Sequence, residues 1–356
     1  MDADALAAYG WDEGWAARFA PFDDGGDDGD EGAGRATPAR VVRHDGAGLI
    51  VATAAGVEAV PLVERLVPAP TVGDWVVLRD GRPAVVLERT SLLRRRDDRT
   101  DTQQVLAANV DLVLIVCGLD RPVKEGRIQR GVALAREAGA DPAVVLTKAR
   151  SAGLEADIDA AVAVAEAAHP GIDVVVTSAK EGVGLDPLEA LCAGRTVVLL
   201  GESGAGKSSL VNALLGDERA AEGRVRRGDA KGRHTTTNRS LYVLPTGGTL
   251  IDTPGIRSIG LWVDEDSTAV AETFADIDEL AAACRFNDCA HRTEPGCAVN
   301  AAVAAGELDE DRLLRWRLLE AEAEAAAVRA SPHERRRYEK KLAKLVNEAK
   351  RRKERP

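Results

Sequence analysis

The 356-residue chain has no apolar run near the roughly 20 residues that a membrane-crossing helix needs. Its amino terminus, MDADALAAYG, has none of the basic-then-apolar build of a secretory signal. These two absences lead us to expect a cytoplasmic protein with no membrane partner. Cysteine is scarce: Cys117, Cys192, Cys284, Cys289 and Cys297 are the whole set. An odd number with the last three bunched suits a metal site better than a disulfide framework, and Cys117 and Cys192 read as small core hydrophobes.

What is present is unevenly arranged. Net charge is -11, yet ten acidic residues and one Arg lie between Met1 and Gly34, whereas Ser331 to Pro356 holds eleven Lys or Arg against four Glu. Binding to nucleic acid responds to local potential, so an overall acidic chain with a basic tail retains that option beside the plain reading of a solvated tail. The length exceeds what one hydrophobic core usually serves, which predicts two or three domains.

Residues 1–40 read as an amino-terminal extension carrying the acidic flexible stretch DDGGDDGDEGAG (Asp23 to Gly34), which has nothing to bury and repels itself. Residues 41–98 are short β-branched runs broken by Asp45-Gly46 and Asp80-Gly81, the pattern of a small closed antiparallel barrel of about five strands. An oligonucleotide-binding (OB-like) barrel leads; size and turn spacing do not separate it from an SH3-like barrel.

Over residues 104–262 strands and helices alternate. VDLVLIVCG, AVVLTKA, IDVVVTSA and TVVLLG read as buried strands, Ile128 to Ala138, Asp157 to Ala168 and LEALCAG as helices, and LYVLPTGGTLIDTPG as a strand pair. Such alternation predicts a mostly parallel sheet covered on both faces, with ligands beyond the carboxyl ends of its strands. Residues 263–356 are predicted to form a helical, zinc-binding domain with a basic tail. In the tail Ser331-Pro332-His333-Glu334 is a capping box that starts a fresh helix.

Gly201-Glu202-Ser203-Gly204-Ala205-Gly206-Lys207-Ser208 fits the phosphate-loop pattern, follows the strand TVVLL and opens the helix SSLVNALL. Glycines let backbone N–H groups turn inward around a β-phosphate, and the start of the helix, Ser209 included, adds its positive end. Lys207 bridges β- and γ-oxygens, and the Ser208 hydroxyl ligates Mg²⁺. Downstream, Leu250-Ile251-Asp252-Thr253-Pro254-Gly255 puts Asp252 at a strand end to hold Mg²⁺ through water and lets the Gly255 N–H sense a γ-phosphate. Gly232-Arg233-His234-Thr235-Thr236-Thr237 lies between the two and reads as the first switch, with Thr236 as a Mg²⁺ ligand.

Guanine-nucleotide hydrolases read the base with an Asn/Thr-Lys-x-Asp segment and a Ser-Ala-Lys segment. Here Thr147-Lys148-Ala149-Arg150 and Ser178-Ala179-Lys180 both close strands, and both precede the phosphate loop. That order is a circular permutation: the sheet is kept while the chain enters it at a different strand. Arg150 stands where an Asp would accept guanine N1–H and N2–H, and a guanidinium accepts no hydrogen bond. Losing such a bidentate pair costs about 1–3 kcal/mol of discrimination. Glu155 or Asp157 are candidate substitutes. Triphosphate binding is therefore read more firmly than base identity.

The order TKA, SAKEGVGLD, GESGAGKSSLVNALLG, GRHTTT and DTPGIRSIGL, with a barrel before it and CRFNDCAHRTEPGCAV after it, resembles the ribosome small subunit-dependent GTPase A family from about Trp11 to about Trp316. The resemblance implies a slow GTPase that acts late in maturation of the small ribosomal subunit, binds ribosomal RNA, is stimulated by that subunit, carries a zinc ion and works as a monomer. Arg150, the acidic insert and the long basic tail depart from the family pattern.

Cys284, Cys289, His291 and Cys297 offer three thiolates and one imidazole within a short span, enough for a closed tetrahedral zinc site of structural type. Arg285, Phe286 and Arg292 beside them could face RNA, although single aromatics more often sit in a core. The position after DTPG, where many GTPases keep a water-orienting Gln, is Ile256. His234 is then the candidate to position water, beside the plainer reading of a loop histidine that helps fold the switch. Two alternatives to a ribosome-assembly GTPase arise: a phosphate-loop hydrolase of relaxed base choice, suggested by Arg150, and an RNA-binding assembly factor switched by nucleotide with little hydrolysis, suggested by Ile256. His234→Ala is expected to lower turnover stimulated by small subunits while nucleotide affinity holds. Unchanged stimulated turnover removes His234 from the mechanism.

Overall fold

The computed structural model of the chain describes residues 3–23, 35–44, 48–62, 66–97, 102–149, 157–216, 239–253, 262 and 267–330. The acidic segment 24–34, Arg150, Glu155, the loop with His234 and Thr236, Gly255, Ile256 and the tail 331–356 lie outside the described residues. Two compact units divide the chain: residues 1–94 with 105–259, and 95–104 with 260–356.

The first unit opens on α1 (Ala3–Ala7) and α2 (Glu13–Phe19). Asp12 caps α2, its carboxylate accepting from the Trp15 N–H at 2.9 Å. Leu6, Trp15 and Phe19 bury against Trp75. Five antiparallel strands follow: β1 (Thr37–His44), β2 (Gly48–Thr53), β3 (Gly56–Pro61), β4 (Trp75–Arg79) and β5 (Arg82–Val86), in the spatial order β3-β2-β1-β4-β5. Asp80 and Gly81 both take positive φ, 52° and 68°, as a two-residue hairpin turn requires. β1 pairs with β4 along Thr37 to Arg40 and with β2 from Arg40 to His44, its register slipping between Val41 and Arg43. Such a slip bends a strand, which lets one strand serve two partners.

After a two-stranded sheet of β6 (Leu92–Asp97) and β7 (Thr102–Ala108), strands and helices alternate. The elements are β8 (Leu112–Gly118), α3 (Glu125–Ala138), β9 (Asp141–Thr147), α4 (Ile158–Ala168), β10 (Asp173–Val176), α5 (Leu185–Cys192), β11 (Thr196–Leu200), α6 (Lys207–Leu215), β12 (Ser240–Val243) and β13 (Thr249–Asp252). Their order in space is β10-β9-β8-β11-β13-β12, with the first five parallel and β12 antiparallel to β13. β1 meets β12 at Arg43 and Ser240, so all eleven strands share one mixed sheet.

The continuous apolar text of β8 is explained by burial on both faces. Leu112, Leu114 and Val116 join a core with Leu188 of α5 and Leu210 and Leu214 of α6, whereas Ile115 and Cys117 face Ile128 and Val132 of α3 and Ala161 and Ala165 of α4. Each such Leu or Ile contributes about 1.5–3 kcal/mol by leaving water. Gly139, at φ 78°, ends α3 in the left-handed conformation that closes its last carbonyls. Asp157 caps α4, accepting from the Ala160 N–H at 2.9 Å, so this candidate base-reading carboxylate is engaged in helix capping.

The second unit contains α7 (Ala269–Thr273), α8 (Ala275–Ala281), α9 (Ala298–Ala305) and α10 (Glu310–Ala330). Gly306, at φ 75°, separates α9 from α10, so the long alanine-rich run folds as two helices. Arg312 of α10 holds Asp276 of α8 by paired bonds of 2.6 and 2.7 Å and lies over the ring of Phe274. This is the planar fork that arginine supplies and lysine does not.

In the first unit, Asp74 is fully buried and accepts from Arg89 at 2.8 Å on each oxygen and from the Thr71 N–H at 2.7 Å. Removing one partner of such a pair strands the other charge. Asp74→Ala is expected to lower stability by about 3–5 kcal/mol, measured by denaturant unfolding followed through tryptophan fluorescence.

Candidate functional site

Five strands of the sheet end in the same direction, and the loop Gly201 to Gly206 leaves the fourth in that row, β11, between β8 and β13. β11 is wholly buried, so its end delivers the loop at a fixed height against its neighbours. Gly201 has no room for a side chain, because a Cβ there would meet the Val116 carbonyl oxygen of β8 at 2.4 Å. Gly206, at φ 94°, is the left-handed residue that turns the chain into α6, and its absent Cβ would lie 3.0 Å from the Thr147 hydroxyl. The glycines thus satisfy packing against β8 and β9 as well as the turn itself.

The residues expected to read a base converge on this loop. The Thr147 hydroxyl, at the end of β9, donates to the Ala205 carbonyl at 2.5 Å. Lys148, held at φ 67°, places its ammonium 2.5 Å from the Gly204 carbonyl and 2.8 Å from an Asp120 carboxylate oxygen. The hydrogen bond from Lys148 keeps the Asp120 carboxyl below the usual carboxylate range. Ala149 N–H donates to the Thr177 carbonyl at 3.1 Å, tying this turn to the next strand end. There Ser178 is buried and closes a tight turn with Val183 through two backbone bonds, Ala179 packs against the core and Lys180 is exposed.

Lys207, at the first position of α6, donates to the carbonyls of Gly201 and Glu202 at 2.5 and 2.7 Å. Burial pulls its pKa down from the usual lysine value, opposed by the charges of Asp252 and Glu202. Asp252 at the end of β13 therefore acts electrostatically on the same ammonium. Ser203, Gly204, Ser208 and Ser209 are exposed around the rim. The structure thus brings Thr147, Lys148, Gly201 to Ser209 and Asp252 to one place, and Ser178 to Lys180 follow Thr177, whose carbonyl accepts from the Ala149 N–H; Arg150, His234, Thr236 and Gly255 lie outside the described residues.

Sequence reasoning missed Asp120, Arg121 and Arg127. Arg121 and Arg127 both pair with Glu202, bracing the loop from the side of β8 and α3. The available signal was position: Asp120 and Arg121 come directly after β8 at its carboxyl end, where parallel sheets present their loops to ligands.

In the second unit Cys284, Cys289, His291 and Cys297 gather with their donor atoms within 4.8 Å of one another. Cys284 and Cys297 sulfurs stand 3.9 Å apart, and each lies 3.6 or 3.4 Å from His291 Nδ1. A zinc tetrahedron with ordinary bond lengths has edges of about 3.8 Å between sulfurs and about 3.5 Å between sulfur and nitrogen, so the donor set fits that ion. The start of α9 supports the thiolates: Ala298 N–H donates to the Cys284 sulfur at 3.3 Å and Asn300 N–H to the Cys297 sulfur at 3.4 Å. Burial lowers the His291 pKa and favours its neutral, ligating form. Burial pushes the Cys117 and Cys192 thiols up to about 11 and about 12, in keeping with inert core residues.

The RsgA GTPase family model matches residues 86–262. The chain is 43% identical to the small ribosomal subunit biogenesis GTPase RsgA of Streptomyces coelicolor, covering 98% of this chain and 96% of that protein. It is 42% identical to the protein of the same name from Xylella fastidiosa strain 9a5c, over 92% of this chain and 96% of the relative. Among solved structures it is similar to YjeQ from Thermotoga maritima, with a TM-score of 0.58, 26% identity, and 80% and 97% of the two chains covered. YloQ, described as a circularly permuted GTPase, superposes with a TM-score of 0.58 at 23% identity over 83% and 98% of the two chains, a likeness of fold. Whole-length identity to these relatives, with strand ends that bring together loops written in permuted order, places the chain in the RsgA GTPase family as a circularly permuted GTPase.

Proposed function

We propose that this protein hydrolyses GTP to GDP and phosphate in the late maturation of the small ribosomal subunit, binding ribosomal RNA and answering to the subunit. The observation that carries the reading is the seating of Thr147 and Lys148 on the carbonyls of Ala205 and Gly204: residues written before the phosphate loop contact it directly. In this reading backbone N–H groups from Glu202 to Ser208 take the β-phosphate, and Lys207 exchanges its two carbonyl partners for phosphate oxygens. Because Lys207 is partly desolvated, its charge counts for more against an anion than an exposed lysine's would. Ser208, Thr236 and Asp252 would hold Mg²⁺, which when bound neutralises charge on the β- and γ-oxygens. Thr147, Lys148, Arg150 and Ser178 to Lys180 form the base side, Gly255 senses the γ-phosphate, and His234 positions the attacking water.

The five antiparallel strands β1 to β5 are read as an oligonucleotide-binding barrel, supported by a bent β1 shared between β2 and β4; the basic tail adds charge for RNA. The protein is read as a cytoplasmic monomer acting at the ribosome; among the described residues no helix is long and apolar enough to cross a membrane. Cys284, Cys289, His291 and Cys297 hold one structural zinc ion.

Turnover of GTP and of ATP, each with and without purified small subunits, tests the first reading. GTP hydrolysis that rises with subunits while ATP hydrolysis does not is the expected result. Equal rates for both nucleotides would instead favour relaxed base choice, the reading that Arg150 suggests. For the metal, elemental analysis of the purified protein is expected to return one zinc per chain. Cys297→Ser should lower that content, and chelation should remove helical circular dichroism from the second unit.

A further inference from the structure

At the opposite end of the sheet from the glycine-rich loop, beside the amino ends of β11 and β13, the first unit has an open cavity of about 390 Å³. Arg40, Arg18 and Arg195 line it together with Trp15, Asp12 and Asp111. β11 runs from Thr196 in this cavity to Leu200 at the loop, so the two places sit at opposite ends of one strand.

Arg40 is the anomaly. Only 1% of it is exposed, yet among the described residues no carboxylate pairs with its guanidinium. Its Nη2 donates to the Thr196 hydroxyl at 3.2 Å and the Asn109 carbonyl at 3.4 Å; Nε is buried with no partner, and the group lies over the Trp75 ring at 5.0 Å. Asp111, Asp74 and Asp12 act on it only at longer range, and burial outweighs them, pulling its pKa down to about 10. Each of these carboxylates is engaged elsewhere: Asp111 with the Thr196 N–H, Asp74 with Arg89 and Asp12 with the Trp15 N–H. Nη1 lies beside Gly10, 4.0 Å from where a Cβ would stand, and a Cβ on Gly194 would meet nothing within 4 Å. A buried guanidinium held by neutral acceptors alone is costly, and a planar oxyanion is the partner its fork fits best.

We propose that this cavity binds a small organic anion whose carboxylate or phosphate group pairs with Arg40, with Arg195 and Arg18 at the mouth and Trp15 against its apolar part. The volume falls within the range of small-molecule pockets. The site is separate from the nucleotide, and the three arginines outnumber the two lining carboxylates.

The test is thermal unfolding of the full chain, saturated with GDP and Mg²⁺, titrated in parallel with inorganic phosphate and with succinate. A rise in Tm of about 2–4 °C is expected from the preferred anion once its concentration exceeds Kd several-fold. The arm that responds distinguishes a phosphate from a carboxylate ligand. In Arg40→Met the rise should vanish, while Tm without anion stays at the wild-type value or above it, because an unpaired buried charge has been removed. No shift with either anion, or an equal shift in Arg40→Met, overturns the proposal. Should Arg40→Met fail to fold, Arg195→Gln decides: a reduced shift supports the site, and an unchanged one overturns it.

Discussion

The structure depends on how tightly β11 and its loop are packed between β8, β9 and β13. The loop makes its turn only because Gly201 lies under the Val116 carbonyl and Gly206 under the Thr147 hydroxyl, with no atom to spare at either place. The strand feeding it is buried along its whole length, and the helix leaving it is anchored by Leu210 and Leu214 in the core. A loop clamped at both ends and braced by Thr147, Lys148 and the pair of arginines on Glu202 keeps its carbonyl and N–H directions without paying for order when a ligand arrives.

Chain order matters little to such a site. Loops that build one site need only be at neighbouring strand ends, and the order β10-β9-β8-β11-β13-β12 puts Lys148, Gly201 to Gly206 and Asp252 at such ends although β8, β9 and β10 come first in the sequence. Permutation does change where the chain goes after Asp252. In chain order β13 is followed by the second unit, whereas in an unpermuted chain it would be followed by the base-side half. The same sheet also continues through β12 into β1, so strands on the far side of Ser240 and Arg43 are hydrogen-bonded to the nucleotide-binding half.

The second unit has a different source of order. Its four described helices are short apart from α10, and specific polar contacts add to their buried apolar residues: Arg312 on Asp276, and the Cys284, Cys289, His291 and Cys297 group at the start of α9. The Cys297 sulfur is both a candidate metal ligand and the cap of α9, so ligation and helix initiation involve one atom. In small helical units such a tie adds to the apolar contacts, here those of the buried Phe274, Ile277, Val299 and Leu313.

Much of this was legible in the amino-acid order. Continuous β-branched strands, Gly201 to Ser208 between a strand and a helix, and a Cys-Cys-His-Cys spacing each report local chemistry, since apolar runs, backbone turns and ligand loops are set by near neighbours in the chain. Position 150, an Arg where the guanine-reading Asp belongs, was equally plain as a departure. Other features depended on contacts between residues far apart in sequence. The ammonium of Lys148 on the Gly204 carbonyl, Asp120 and the arginines bracing Glu202, the use of Asp157 as a helix cap, the joining of β1 to β12 and the unpaired guanidinium of Arg40 are all of this kind. No pattern within a window of sequence encodes them, because burial and pairing are decided only when separate strands close on one another and water is excluded from between them.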